Sequence, residues 1–208
     1  VYKDLKGVKK VAEEFDMNEV AAIMDRNPLT EEIVRHWKEK AGDRRTVVFC
    51  STVAHAEHVA QSFRKNEITA ELVTGETPDG ERAGIFARLD RGDTQVLVNV
   101  SVATEGWDCP PISCVVLLRP CSFKSAMIQM IGRGLRKLDP ERYPGLVKTD
   151  CIILDFGASA LLHGTLEQEV NLDSREREEE EGEAPTKECP QCISLIPWGC
   201  RQCPFCGH

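Results

Sequence analysis

Thr46-Val-Val-Phe-Cys-Ser-Thr-Val-Ala-His-Ala-Glu-His-Val-Ala-Gln-Ser-Phe-Arg64 is the stretch that decides the fold. Thr46 to Cys50 is a short run of β-branched and aromatic side chains and reads as a buried strand. From Val53 the pattern changes. Ala56, Val59, Ala60 and Phe63 recur at the three- and four-residue spacing that puts apolar groups on one helix face.

The same strand-and-helix pair repeats downstream. Ala70-Glu-Leu-Val73 is a second short strand, and the helix near Pro78 to Arg91 turns Ile85, Phe86 and Leu89 inward. Gln95 to Val100, Cys114 to Leu118 and Cys151 to Asp155 complete the strands, with a helix from about Ser125 to Leu135 between the last two. Nearly continuous apolar strands separated by helices predict a doubly wound α/β domain. Its parallel sheet is covered on both faces, and ligands gather beyond the carboxyl ends of the strands. Upstream, residues 8–40 look helical, with Thr30 as the N-cap of Glu31 to Lys40.

A chain of 208 residues that is 41% hydrophobic can bury a real core, as one domain plus something small or as two modest domains. No apolar run reaches the roughly 18 residues of a membrane helix, and no signal segment opens the chain, so no membrane partner is expected. Val1 stands in mid-pattern, which suggests a piece of a longer protein. The net charge of −8 argues less against a nucleic-acid partner than it first suggests. Ser174 to Glu183 alone holds six Glu and two Arg, leaving −4 there and −4 over everything else. Binding depends on where basic groups cluster.

Of ten cysteines, Cys50, Cys109, Cys114, Cys121 and Cys151 lie mostly within apolar runs and read as buried thiols. The other five crowd into the last twenty residues. That distribution favours a metal in a reducing compartment, hence an intracellular, cytoplasmic protein. Cys189-Pro-Gln-Cys192 and Cys203-Pro-Phe-Cys206 offer four thiolates for tetrahedral Zn2+, ten residues apart. Cys200-Arg-Gln-Cys203 is a competing pair and His208 a competing ligand; Cys203 and Cys206 are preferred because only they repeat the proline. A closed four-sulfur site is structural, a staple for a segment too short to fold alone. The alternative is a small contact surface built on Trp198, Arg201 and Phe205.

Two further segments carry chemistry. Gln129-Met-Ile-Gly-Arg-Gly-Leu-Arg136 sets Arg133 and Arg136 three residues apart, on one face of the predicted helix. Two planar, permanently charged forks suit a terminal phosphate. No G-x-x-x-x-G-K-[ST] loop occurs in the chain to cradle that phosphate, so it resembles half of a phosphate-handling site. Asn99 to Pro110 sets Ser101, Thr104 and Glu105 at a strand end, then Gly106 where the backbone can turn, then Asp108, able to accept from a ribose hydroxyl. An ordinary capped strand-to-helix loop would read the same way. His55 and His58 lie three apart with no partner carboxylate evident and read as solvated helix residues. Trp37 and Trp107 read as packing anchors.

Taken in order, these segments resemble the second RecA-like domain of superfamily 2 helicases and translocases. Val47 to Thr52 looks like motif IV, Thr74-Gly75 with Glu81-Arg82 like the segment that follows it, Thr104 to Pro110 like motif V, and Gln129 to Arg136 like motif VI. The resemblance spans about residues 44–156 and is closer to the restriction-enzyme and DNA-repair branch, with RadD-like helicases, than to the DEAD-box branch. It implies that Arg133 and Arg136 are arginine fingers, with Gln129 orienting the same network. They would act on ATP with Mg2+ held by an N-terminal RecA-like domain outside this chain. Gly106 and Asp108 would line the ribose side of that cleft, and Ser51, Thr52, Thr74 and Ser101 would face the phosphates of one nucleic-acid strand, DNA in preference to RNA.

The division expected is a helical flank (1–40), a RecA-like domain (41–172), an acidic linker (173–187) and a zinc ribbon (188–208). Two other functions fit the same residues: a non-catalytic adaptor that binds nucleic acid or protein through the ribbon, and the motor of a restriction-type complex.

Overall fold

The computed structural model describes residues 8, 10–11, 14–25, 27–102, 107–164, 166, 186–191, 195–197, 200, 202–203 and 207–208. The chain order is β1 (Lys10–Val11), β2 (Glu14–Phe15), α1 (Met17–Met24), α2 (Asn27–Ala41), β3 (Thr46–Phe49), α3 (Val53–Lys65), β4 (Ala70–Val73) and α4 (Asp79–Arg91). There follow β5 (Val96–Asn99), β6 (Cys114–Leu117), α5 (Lys124–Gly132), β7 (Ile152–Asp155), α6 (Ser159–His163), β8 (Thr186–Glu188) and β9 (Leu195–Pro197).

The centre is a five-stranded sheet in the order β4-β5-β3-β6-β7, parallel at every pairing. The strands alternate sides as the pleat requires. Val48, Cys50, Val96, Val98, Cys114 and Val116 pack with α1, α2 and α3. Val47, Phe49, Leu97, Val115 and Leu117 pack with α4 and α5. Both faces are therefore covered, and the doubly wound, mixed α/β architecture expected from the strand spacing is what the chain forms.

Local signals fix the elements. Thr52 N-caps α3, its hydroxyl accepting from the amide of His55 at 3.3 Å. At the other end of the unit, Gly92 terminates α4 in the left-handed region at φ 93°. A Cβ there would stand 2.6 Å from a terminal nitrogen of Arg45. That guanidinium needs the space, because it donates to the carbonyls of Asp90 (2.7 Å) and Arg91 (3.1 Å) at the helix end. Trp37 is buried, and its indole N–H donates to the Thr46 hydroxyl at 2.8 Å, joining α2 to β3.

The flank before the sheet departs from the expectation of continuous helix. Lys10–Val11 and Glu14–Phe15 form an antiparallel pair, and α1 starts only after Asp16, whose carboxylate accepts from the amides of Asn18 and Glu19. Thr30 is not an N-cap: α2 begins at Asn27, and Thr30 lies buried within its first turn. His55 is not solvated but fully buried, and among the described residues neither ring nitrogen has a hydrogen-bond partner. His58 does have a carboxylate beside it: Nδ1 lies 2.8 Å from Asp25 at the end of α1.

Candidate nucleotide and nucleic-acid site

Ser51, Thr52, Thr74 and Ser101 follow β3, β4 and β5, three adjacent strands, and so share the carboxyl edge of the sheet. Their circumstances differ. Ser51 is buried, and its hydroxyl has no hydrogen-bond partner among the described residues. Thr52 is occupied as a cap, and the hydroxyl of Thr74, also buried, accepts from the amide of Glu76 at 3.2 Å. Ser101 is exposed and holds φ 57°, a left-handed backbone that a serine adopts only in a constrained turn. Gly106, Thr104 and Glu105 lie outside the described residues.

The arginine-bearing segment is rearranged relative to its expectation. α5 buries Met127, Met130 and Ile131 and stops at Gly132, so Arg133 is its C-cap and Arg136 lies beyond the helix. The two arginines do not share a helix face. Two glycines in three residues weaken the helix there, and the amide of Gly134 bonds instead to the carbonyl of Ile131 at 2.9 Å. Gly134 is also sterically demanded. A Cβ on it would meet Cys151 Sγ and stand 2.7 Å from a methyl of Val115.

What brings the arginines together is the loop before β6. Arg133 donates to the carbonyl of Trp107, and Arg136 donates to the carboxylate of Asp108. Trp107 is itself anchored, stacked on Phe86 of α4 with ring centroids 4.6 Å apart. Adjacent residues of one loop thus hold both guanidinium groups. Asp108 and Arg136 are both partly open to solvent, so a ligand can reach them. Gln129 stands exposed on α5, one turn before Arg133.

Sequence reasoning missed a layer of supporting residues in 137–150. Tyr143 donates to Asp90 at 2.7 Å, and Arg142 lies 3.7 Å from Asp90 and 3.9 Å from Asp108. Lys148 Nζ donates to the carbonyls of Arg136 (2.7 Å) and Pro110 (2.9 Å). This segment has no helix or strand period, so nothing in its pattern marked it. Burial pushes the thiols of Cys109 and Cys114 up to about 12, and that of Cys151 up to about 11. These are packing thiols, not nucleophiles.

Near the C-terminus, β8 and β9 form an antiparallel pair. Buried Cys189 and Cys203 pack in one small cluster with Ile196, with half-buried Cys200 against it. Gly207 holds φ 74°, and its amide donates to the carbonyl of Cys203 at 2.8 Å. Cys192, Cys206, Trp198, Arg201 and Phe205, and almost all of the acidic linker, lie outside the described residues. Among the described residues no group of three His, Cys, Asp or Glu is placed to hold a metal. No described helix is long and apolar enough to cross a membrane.

Comparison with known proteins gives a consistent result. The helicase conserved C-terminal domain matches residues 26–137, just over half of the chain. IRC3 of Saccharomyces cerevisiae, named as an ATP-dependent helicase, is 35% identical over 76% of this chain and 22% of its own length. Irc3 of Schizosaccharomyces pombe, named as mitochondrial, is 44% identical over 60% of this chain and 20% of its own length. The chain thus spans about a fifth of either relative. Two solved structures share its fold. Escherichia coli DEAD-box protein SrmB has a TM-score of 0.51 and 23% identity, over 66% of this chain and 77% of that one. Saccharomyces cerevisiae Dbp5, bound to RNA and ADP BeF3, has a TM-score of 0.50 and 16% identity, over 62% and 32%.

Proposed function

The chain belongs to the helicase conserved C-terminal domain family, and from that premise we propose that it is the second motor half of an ATP-dependent DNA helicase or translocase. The observation that supports this most strongly is the shared anchorage of Arg133 and Arg136 on Trp107 and Asp108. Two positive forks are held at one place by a loop that follows the sheet's carboxyl edge. In this reading they reach the γ-phosphate of ATP, bound with Mg2+ on an N-terminal P-loop domain of the same parent protein. Charge that builds on the phosphoryl oxygens during transfer is stabilised by fixed cations. Asp108 holds Arg136 until the nucleotide competes for it, and Gln129 and Gly106 complete that wall of the cleft.

The strand of nucleic acid runs along the carboxyl edge, against Ser51, Thr52, Thr74 and Ser101. Small hydroxyls and turn amides suit phosphate contact without base readout. DNA is favoured by the Glu105-Gly-Trp-Asp108 form of the loop. The terminal cysteines hold one Zn2+ through Cys189, Cys192, Cys203 and Cys206. The clustering of Cys189 with Cys203 and the bond from the Gly207 amide to the Cys203 carbonyl suit such a knuckle, and the site serves as a staple. The cysteines suit a reducing compartment, the cytoplasm or, as the Schizosaccharomyces pombe relative's name suggests, an organelle.

ATP turnover of the parent protein, measured with single-stranded DNA, with RNA of the same sequence and with neither, tests the reading. Stimulation by DNA above that by RNA is expected. This chain alone, lacking a P-loop, is expected to turn over no ATP. Equal rates in all three conditions would remove the motor assignment, and a higher rate with RNA would remove the DNA preference.

A further inference from the structure

Lys148 lies in the segment between the motif VI-like stretch and β7, and one ammonium group there touches two separate functional segments. Nζ donates to the carbonyl of Pro110, where the motif V-like loop ends, and to that of Arg136, the last residue of the arginine segment. These two acceptors are 26 positions apart in sequence. The lysine comes from a strap that is itself pinned: Tyr143 to Asp90 at 2.7 Å toward its middle, and Asp150 to Arg44 at 2.6 Å at its end.

We propose that Lys148 is a positioning residue that fixes the arginine segment to the Asp108 loop, so that Arg133 and Arg136 are presented in register with the nucleotide cleft. Arg136 lies beyond α5, where no helical hydrogen bond restrains its carbonyl, and Gly134 adds backbone freedom just before it. An ammonium bonded to that carbonyl restores the restraint. Its second bond makes the restraint common to both segments, so they move as one piece. Desolvation lowers the affinity of this ammonium for its proton, an expense that its two acceptors offset. The inference rests on the motor reading given above.

Lys148→Met keeps the stem and removes the donors. In the parent protein it is expected to lower the turnover number for ATP about tenfold or more, since small misplacements of a catalytic group are costly. KM for ATP should stay within about twofold, because the nucleotide is held by the other domain. Lys148→Arg, which can still donate to both carbonyls, is expected to recover a third or more of the lost turnover. A role in folding alone would not produce that split. Amide hydrogen exchange in the same proteins supplies an arm that does not depend on activity. Lys148→Met should speed exchange in 107–112 and 133–138 together while leaving α3 unchanged. Turnover within twofold of the parent, or unchanged exchange in either segment, would overturn the proposal. An Arg133→Ala control that keeps full turnover would instead sink the motor reading, leaving the exchange arm to decide the coupling.

Discussion

Among the described residues, His55 carries a clear pH dependence. Burial lowers its ring to about 4, against an ordinary value near 6.5, with the nearby Asp25 carboxylate only partly opposing the shift. The folded state therefore takes up this proton later than the unfolded chain does. The stability tied to neutral His55 is complete above about pH 6.5 and is lost progressively as pH falls toward 4. Between pH 7 and 5 the loss is about 2 kcal/mol. Urea unfolding at both values should show it, and His55→Met should remove most of the difference. At pH 7 the change should cost no more than about 1.5 kcal/mol of repacking, since among the described residues neither ring nitrogen has a partner to lose. An equal pH dependence in both proteins would contradict the assignment. His55 reads as solvated in the sequence because a polar residue three positions before another histidine fits an outer helix face. Its burial comes from tertiary packing, which no local spacing reveals.

The arginine helix teaches a related lesson about elements. Its start was legible, since the pattern places it near Ser125 and α5 begins at Lys124. Its end was not. Reading Arg133 and Arg136 as a helical pair overlooked Gly132 and Gly134, whose low helix propensity lets the chain turn early. The cost of crowding that turn can be measured. Gly134→Ala is expected to lower stability by about 1–3 kcal/mol in denaturant unfolding, because the new methyl meets Cys151 Sγ and Val115. Cys151→Ala in the same chain should recover part of the loss; full additivity of the two changes would argue against the contact. The strands were legible because each depends on residues within a few positions, whereas the one cap read from the sequence, Thr30, lies inside its helix. The clasp at Lys148 was not legible, since it joins residues that only the sheet order brings together.

At the level of the whole molecule, the doubly wound core follows from alternating apolar strands and amphipathic helices, and the order of the motif-like segments carries the family. What no local pattern revealed is that the arginines depend on the Asp108 loop for their placement. The C-terminal cysteines form a second, smaller test. Metal analysis of the purified protein should find one zinc per chain, falling after Cys189→Ser or Cys203→Ser; a metal content unaffected by both changes would rule out the four-thiolate site. If this domain completes an ATP site held on another domain, Arg136→Ala in the parent protein removes a cation that the reaction needs. Steady-state ATP turnover with DNA present should fall on the order of a thousandfold, as loss of a transition-state cation requires, with KM for ATP little changed. Turnover within twofold of the unaltered protein would mean that the arginines only brace the Asp108 loop, and the domain would then be a scaffold, not half of a motor.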